Sequence, residues 1–213
     1  MRTRIKICGL RTPQDVAAAV ACGADDIGLV FFAKSPRHLT LDEAAALALT
    51  VPVGVRKVAL TVDATDEDLS ALVSRVPVDL LQLHGTETPA RVADIRAQFG
   101  VPVMKAIGIA DASDLAQLDP YMAVCEEVLV DAKPPKHADL PGGNGLSFDW
   151  RLLEGRQWSV PWMLAGGLRP SNVAEAIRLT GARQVDVSSG VERDPGEKDP
   201  DMIRDFCAAV RGT

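Results

Sequence analysis

Short apolar runs of strand length recur along the chain, separated by segments in which apolar and polar residues follow a helical rhythm. RIKIC, DIGLVF, KVALTV, DLLQLH, PVMKAI, EVLVDA, PWMLAGG and QVDVSSG make eight such runs, rich in the branched aliphatic side chains that suit buried parallel strands. Between them, PQDVAAAVACG has helical spacing and stops at Gly23, and TLDEAAALAL opens on Thr40 with Glu43 three residues on, the reciprocal capping pattern. DEDLSALVSRV, TPARVADIRAQFG, DASDLAQL, RPSNVAEAIRLTG and DPDMIRDFCAAV continue the alternation, while FDWRLLEG allows a short helix at most. A strand returns about every 25 residues, the size of one βα unit. Eight similar units with no Gly-, Ser- or Pro-rich linker predict an α/β fold: a parallel eight-stranded (βα)8 TIM barrel closed by surrounding helices, rather than a doubly wound open sheet. It is expected to form one domain over residues 1–213. The stretch AKPPKHADLPGGNG, after the sixth strand, is expected to be a long mobile βα loop.

Composition narrows the function classes. With 47% hydrophobic and only 4% aromatic residues, the core must be built from Val, Leu, Ile and Ala. The net charge of −6 argues against a nucleic-acid or anionic-membrane partner, both of which want clustered Lys and Arg. A small anionic ligand stays open, because backbone dipoles can hold phosphate whatever the global sign. No segment approaches the roughly 20 apolar residues of a membrane span, and MRTRIKICGL is too charged for a signal peptide, so a cytoplasmic location is expected. Cys8, Cys22, Cys125 and Cys207 lack the spacing of a metal or redox site and read as free thiols. Cys22, Cys207 and Cys125 fit packing positions; Cys8, at the end of the first strand, stands apart.

In such a barrel, function gathers at the C-terminal ends of the strands. If Ile5 and Ile7 face the helices, strand alternation points Lys6 and Cys8 into the lumen. A lysine ammonium beside the thiol favours the thiolate and makes it a stronger base; alternatively, Lys6 is an ion-pair residue and Cys8 a small filler. Asp131 shares a strand face with Leu129, and a carboxyl at the rim of an apolar bundle has the raised pKa a general acid needs, unless it is a helix cap or an ion-pair partner. AGGLRPSN and SSGVE put Gly166, Gly167, Ser188, Ser189 and Gly190 where strands seven and eight give way to helices. Bare N–H groups at that place can surround a phosphate. Arg37, in SPRHL, reads either as a fork for a ligand carboxylate or as a solvated surface side chain. His84 fits a structural role at the end of strand four, and Asp186 either orients a ribose hydroxyl or anchors the SSG turn.

The motifs KICGL, SPR, QLHG, LVDA, GGNG with FDW, LAGGL and DVSSGVE, in this order over nearly the whole chain, resemble the phosphoribosylanthranilate isomerase family of tryptophan biosynthesis. The resemblance implies an Amadori rearrangement of N-(5-phosphoribosyl)anthranilate to 1-(2-carboxyphenylamino)-1-deoxyribulose 5-phosphate on a (βα)8 barrel. It implies no metal or organic cofactor and a small phosphorylated substrate as partner; the outer helix faces carry no large apolar stripe, which leaves monomer or homodimer open. By the family pattern Cys8 is the general base, Asp131 the general acid and Arg37 the clamp on the anthranilate carboxylate. Gly166, Gly167, Ser188, Ser189 and Gly190 form the phosphate site, with Asp186 also against the substrate. The chain departs from the usual GGTG loop by carrying Asn144, which implies altered loop dynamics. A histidine-pathway barrel would instead carry an aspartate in place of Cys8 and a second Gly-rich site, and a binding-only barrel needs neither Cys8 nor Asp131.

Overall fold

The computed structural model describes residues 2–133 and 140–213, so the middle of AKPPKHADLPGGNG, and the expectation made of it, lies outside the described residues. The eight apolar runs form strands β1 (Arg4–Cys8), β2 (Asp26–Phe31), β3 (Arg56–Thr61), β4 (Leu80–Leu83), β5 (Val103–Ile109), β6 (Glu127–Ala132), β7 (Trp162–Leu164) and β8 (Gln184–Val187). They lie side by side in sequence order, and β8 pairs in parallel with β1 to close the barrel. The register sets Lys6 opposite Asp26 on one side and opposite Asp186 across the closing seam.

Helices α1 (Pro13–Ala21), α2 (Leu41–Ala48) and α3 (Asp66–Arg75) each start on a threonine whose hydroxyl accepts from the backbone three residues on. Asp15, Glu43 and Asp68 return the bond to the threonine backbone, so two otherwise orphaned donors are satisfied at each start. Helix α4 (Pro89–Phe99) ends on Gly100 in the left-handed region. The expected helix over DASDLAQL is instead a tight 3-10 turn, Ala112–Gln117, leading into the short α5 (Leu118–Met122). FDWRLLEG supplies one 3-10 turn, Trp150–Leu153. Helix α6 (Val173–Thr180) follows β7, and α7 (Pro200–Arg211) completes the ring. Between β8 and α7 lies a feature the strand and helix alternation does not contain, an antiparallel hairpin of β9 (Glu192–Asp194) and β10 (Glu197–Lys198). Among the described residues, no helix is long and apolar enough to cross a membrane.

The period of two along each strand divides the core. Ile5, Ile7, Ile27, Leu29, Val128 and Val185 belong to the layer between barrel and helices, whereas Val58, Leu80, Met104, Leu129 and Met163 form a separate cluster that fills the lumen. Below that cluster the barrel is floored by charge. Arg56 donates from Nε to Asp26 at 2.8 Å and also pairs with Glu127 across the barrel, while Arg4 reaches Asp26 at 2.8 Å. The lumen is therefore closed from below, and only its upper end is left for a ligand.

Arg56→Met would leave Glu127 without its counter-charge and Asp26 with Arg4 alone. It is expected to lower unfolding free energy by about 2–3 kcal/mol, the lower part of the range for a broken buried pair because the floor is partly exposed. Chemical denaturation measures this, and an unchanged midpoint would show that the floor network carries no stability.

Candidate active site

Two strand ends bring the chemistry-bearing side chains together. Cys8 closes β1 with 3% of its surface exposed. Its neighbour on β2 must be Gly28, since a Cβ there would lie 2.7 Å from Cys8 Sγ. Lys6, two residues earlier and fully buried, points the same way and donates from Nζ to Asp186 Oδ1 at 2.9 Å. Burial opposes the charge on Lys6, but the Asp186 carboxylate more than offsets it and holds the Lys6 pKa up, favouring the ammonium.

Cys8 answers in the opposite direction from the sequence expectation. Burial pushes its thiol up; Lys6 and Lys198 pull it down, Asp186 pushes it up again, and the net shift is upward. The pull of Lys6 is present, but desolvation of a nearly buried sulfur outweighs it and favours the thiol.

Asp131, at the end of β6, is buried, and its Oδ1 accepts from the Ala132 backbone at 2.7 Å. Its Oδ2 lies 3.3 Å from His84 Nε2, and His84 Nδ1 is 3.1 Å from Gln82 Nε2. Gln82, His84 and Asp131 thus form one chain from the lumen to the rim. Cys8, Arg37, His84, Asp131 and Asp186 line a single cleft. The GGNG loop comes back over it: the bare backbone of Gly142 approaches Asp131 and His84 so closely that a Cβ would sit 2.7 Å from either side chain. Asn144 turns inward on its own loop and donates to the Leu140 carbonyl at 3.0 Å.

Gly166, Gly167, Ser188, Ser189 and Gly190 line an adjoining pocket at the ends of β7 and β8, with Asp131 and Asp186 shared between the two spaces. At Gly190 backbone passes over backbone, since a Cβ would meet the Leu168 carbonyl at 1.9 Å. Ser188 Oγ donates to the Cys8 carbonyl at 3.1 Å, tying this rim to β1. Asp186 does not anchor the SSG turn; its carboxylate is taken by Lys6.

Arg37 is 5% exposed, which excludes the solvated-surface alternative. Its Nε and Nη2 each donate to the Glu192 carboxylate at 2.7 Å. Burial would push the Glu192 carboxyl up, but hydrogen bonds from Arg37 and the charge of Lys198 hold it down at about 2. Glu192 and Lys198 are the residues that sequence reasoning missed. The available signal was the turn sequence DPG between charged residues in VERDPGEK, which marks a hairpin. The four cysteines are free, and Cys125 and Cys207 are buried as packing residues. Among the described residues, no group of three or more His, Cys, Asp or Glu side chains is placed to hold a metal ion.

A closed lumen, a buried thiol and carboxyl at its mouth, and a glycine-lined rim at β7 and β8 make this a (βα)8-barrel enzyme. Residues 5–209 match the family model described as N-(5'-phosphoribosyl)anthranilate (PRA) isomerase, and the chain belongs to that family. The N-(5'-phosphoribosyl)anthranilate isomerase of Cereibacter sphaeroides is 63% identical over 98% of both chains. That of Ruegeria sp. is 57% identical over 98% of this chain and 97% of its own. Among solved structures, phosphoribosyl anthranilate isomerase from Thermotoga maritima is 34% identical and superposes with a TM-score of 0.89, over 99% of this chain and 100% of its own. A phosphoribosyl anthranilate isomerase in complex with reduced 1-(o-carboxyphenylamino)-1-deoxyribulose 5-phosphate is 30% identical with a TM-score of 0.84, at the same coverage.

The direction of the Cys8 shift is open to titration. In the ligand-free protein, the ultraviolet thiolate signal that disappears in Cys8→Ala is expected to rise only above the free-thiol range of about 8.5. A signal already complete at neutral pH would mean that Lys6 and Lys198 outweigh burial.

Proposed function

We propose that the protein catalyses the Amadori rearrangement of N-(5-phosphoribosyl)anthranilate to 1-(2-carboxyphenylamino)-1-deoxyribulose 5-phosphate in tryptophan biosynthesis, with Asp131 as general acid and Cys8 as general base. The observation that carries the assignment is that both side chains line one cleft with an arginine fork in its wall and a glycine rim adjoining it. The edge of Arg37 not given to Glu192 suits the anthranilate carboxylate and the rim the phosphate, so the substrate lies across the mouth with its sugar between the two proton-transfer groups. The reduced carboxyphenylamino deoxyribulose phosphate bound by the relative is a ligand of the same shape.

Asp131 protonates the furanose ring oxygen while the nitrogen lone pair opens the ring to an iminium. Cys8, as thiolate, then takes the proton from C2, and the C–H electron pair moves towards the cationic nitrogen to form an enolamine. That intermediate loses the proton of its C2 hydroxyl and gains one at C1, giving the ketone. Atoms balance, as an isomerisation requires. The resting thiol first gives its proton to solvent at the mouth of the cleft, and the iminium formed in the first step, a positive charge beside a buried sulfur, favours that ionisation before the C2 proton is taken. Asp186, held by Lys6, faces the same cleft and is the group for a ribose hydroxyl.

The same reading has the chain work as one domain in the cytoplasm, as a monomer or a homodimer. A Thermotoga maritima relative is described as a dimeric enzyme from which monomers were generated.

The test is the loss of substrate fluorescence, with the unstable substrate generated in place from anthranilate and phosphoribosyl pyrophosphate. Cys8→Ala and Asp131→Asn are each expected to lower kcat by about 10²–10⁴ while the circular dichroism stays native. Near-normal turnover in either variant removes that residue from the mechanism. Arg37→Ala is expected to raise KM by about 10- to 100-fold, as one charge-assisted contact implies, and an unchanged KM would take the carboxylate away from Arg37.

A further inference from the structure

The hairpin that follows β8 has no place in the reaction as drawn, yet it delivers two buried ionic side chains behind Arg37, which itself lines the cleft. Lys198 is 4% exposed, and its Nζ donates to Glu192 Oε1 at 2.6 Å. The Glu192 carboxylate is then fully occupied. Oε1 accepts from Arg37 Nε and Lys198 Nζ, and Oε2 accepts from Arg37 Nη2 and, at 3.2 Å, from the Gly196 backbone.

This arrangement fixes which edge of Arg37 is spent. The Nε and Nη2 side of the guanidinium faces the hairpin, Nη2 also donates weakly to the Gly143 carbonyl at 3.4 Å, and Nη1 is left on the other side, against the GGNG loop. The hairpin itself cannot drift away from the Arg37 loop. Gly196 has φ +84°, and a Cβ on it would lie 2.6 Å from the Pro36 carbonyl, so the hairpin tip rests directly on the residue before Arg37. Lys198 also donates to the Ser188 carbonyl at 3.1 Å, and Ser188 in turn donates to the Cys8 carbonyl, so one lysine links the hairpin to the ends of β8 and β1. Finally, Arg37 and Lys198 share one carboxylate, so that with both protonated one positive charge is left buried beside the cleft, although burial pulls the Lys198 ammonium down against the hold of Glu192. A buried charge of that kind is completed by an anion, and the cleft is where one can enter.

We infer that Glu192 and Lys198 are positioning residues that set the specificity of the site for an aryl carboxylate: Glu192 locks Arg37 by one edge so that the other receives the carboxylate, and Lys198 offsets the Glu192 charge so that the locked arginine keeps its net attraction for the ligand. This rests on the proposed role of Arg37 as the carboxylate clamp. A free arginine would have to be ordered on each binding event; one already held by a bidentate carboxylate loses little freedom when the ligand arrives. Without Lys198, Glu192 would cancel the charge of Arg37 and weaken its hold on a second carboxylate.

The test compares two probes by calorimetry: reduced 1-(o-carboxyphenylamino)-1-deoxyribulose 5-phosphate and its phenylamino counterpart lacking only the carboxyl group. The unaltered protein is expected to prefer the carboxylated probe by about 10- to 100-fold, the value of one charge-assisted contact. In Glu192→Gln and in Lys198→Met that preference is expected to shrink severalfold or more, while the affinity for the carboxyl-free probe stays where it was. Equal weakening of both probes, with the preference intact, would make the pair merely structural and overturn the inference while leaving the clamp in place. If the unaltered protein shows no preference, the clamp itself is wrong and the inference goes with it. Should Glu192→Gln fail to fold, Glu192→Asp keeps the charge but draws the fork back towards the hairpin, and full retention of the preference in that variant would likewise overturn the inference.

Discussion

Lys6 has no surface through which water could reach it, so its charge must be answered inside the barrel, and Asp186 answers it across the seam where the last strand meets the first. The two residues are direct register partners, so closure of the barrel and neutralisation of the lysine are one event. Two residues further along β1, on the same face, lies Cys8, and just past the end of β8 lies Ser188, which donates to the Cys8 carbonyl. The pair that satisfies the seam therefore also determines where the proposed base sits and which rim it shares.

Charge placement along the barrel axis follows one plan. The floor is sealed by Arg56 and Arg4 against Asp26 and Glu127, the middle is largely apolar but carries the Lys6 pair and Gln82, and the mouth carries the groups left for a ligand. Desolvation that keeps Cys8 a thiol at rest is the same property that makes it sensitive to a charge appearing beside it. Glycines let the GGNG loop and the β8 turn press bare backbone onto this mouth, where a Cβ would collide with Asp131, His84 or the Leu168 carbonyl.

Much of this was legible in the sequence. Eight apolar runs and their helical partners identified the barrel, and strand alternation alone put Lys6, Cys8 and Asp131 at the lumen, because period two is a local property of each strand. The short β7 was overdrawn, since PWMLAGG includes the glycines that belong to the rim. Two things were out of reach. The direction of the Cys8 shift depends on burial, which a neighbouring lysine in the sequence cannot reveal. The partnership of Arg37 with Glu192 spans 155 positions, so nothing local to either residue announces it. What SPR and VERDPGEK contain separately is a loop arginine and a turn; only the folded chain makes them one side of a site.

The account stands on the polarity of the substrate across the barrel mouth. A crystal structure of this protein with reduced 1-(o-carboxyphenylamino)-1-deoxyribulose 5-phosphate measures it directly. The expected result has the carboxylate on the free edge of Arg37, the phosphate over Gly166, Gly167 and Gly190, and C2 against Cys8 Sγ with Asp131 on the other side of the sugar. A ligand bound the other way round, with its phosphate on Arg37, or one that leaves Cys8 without a contact to C2, would contradict the account.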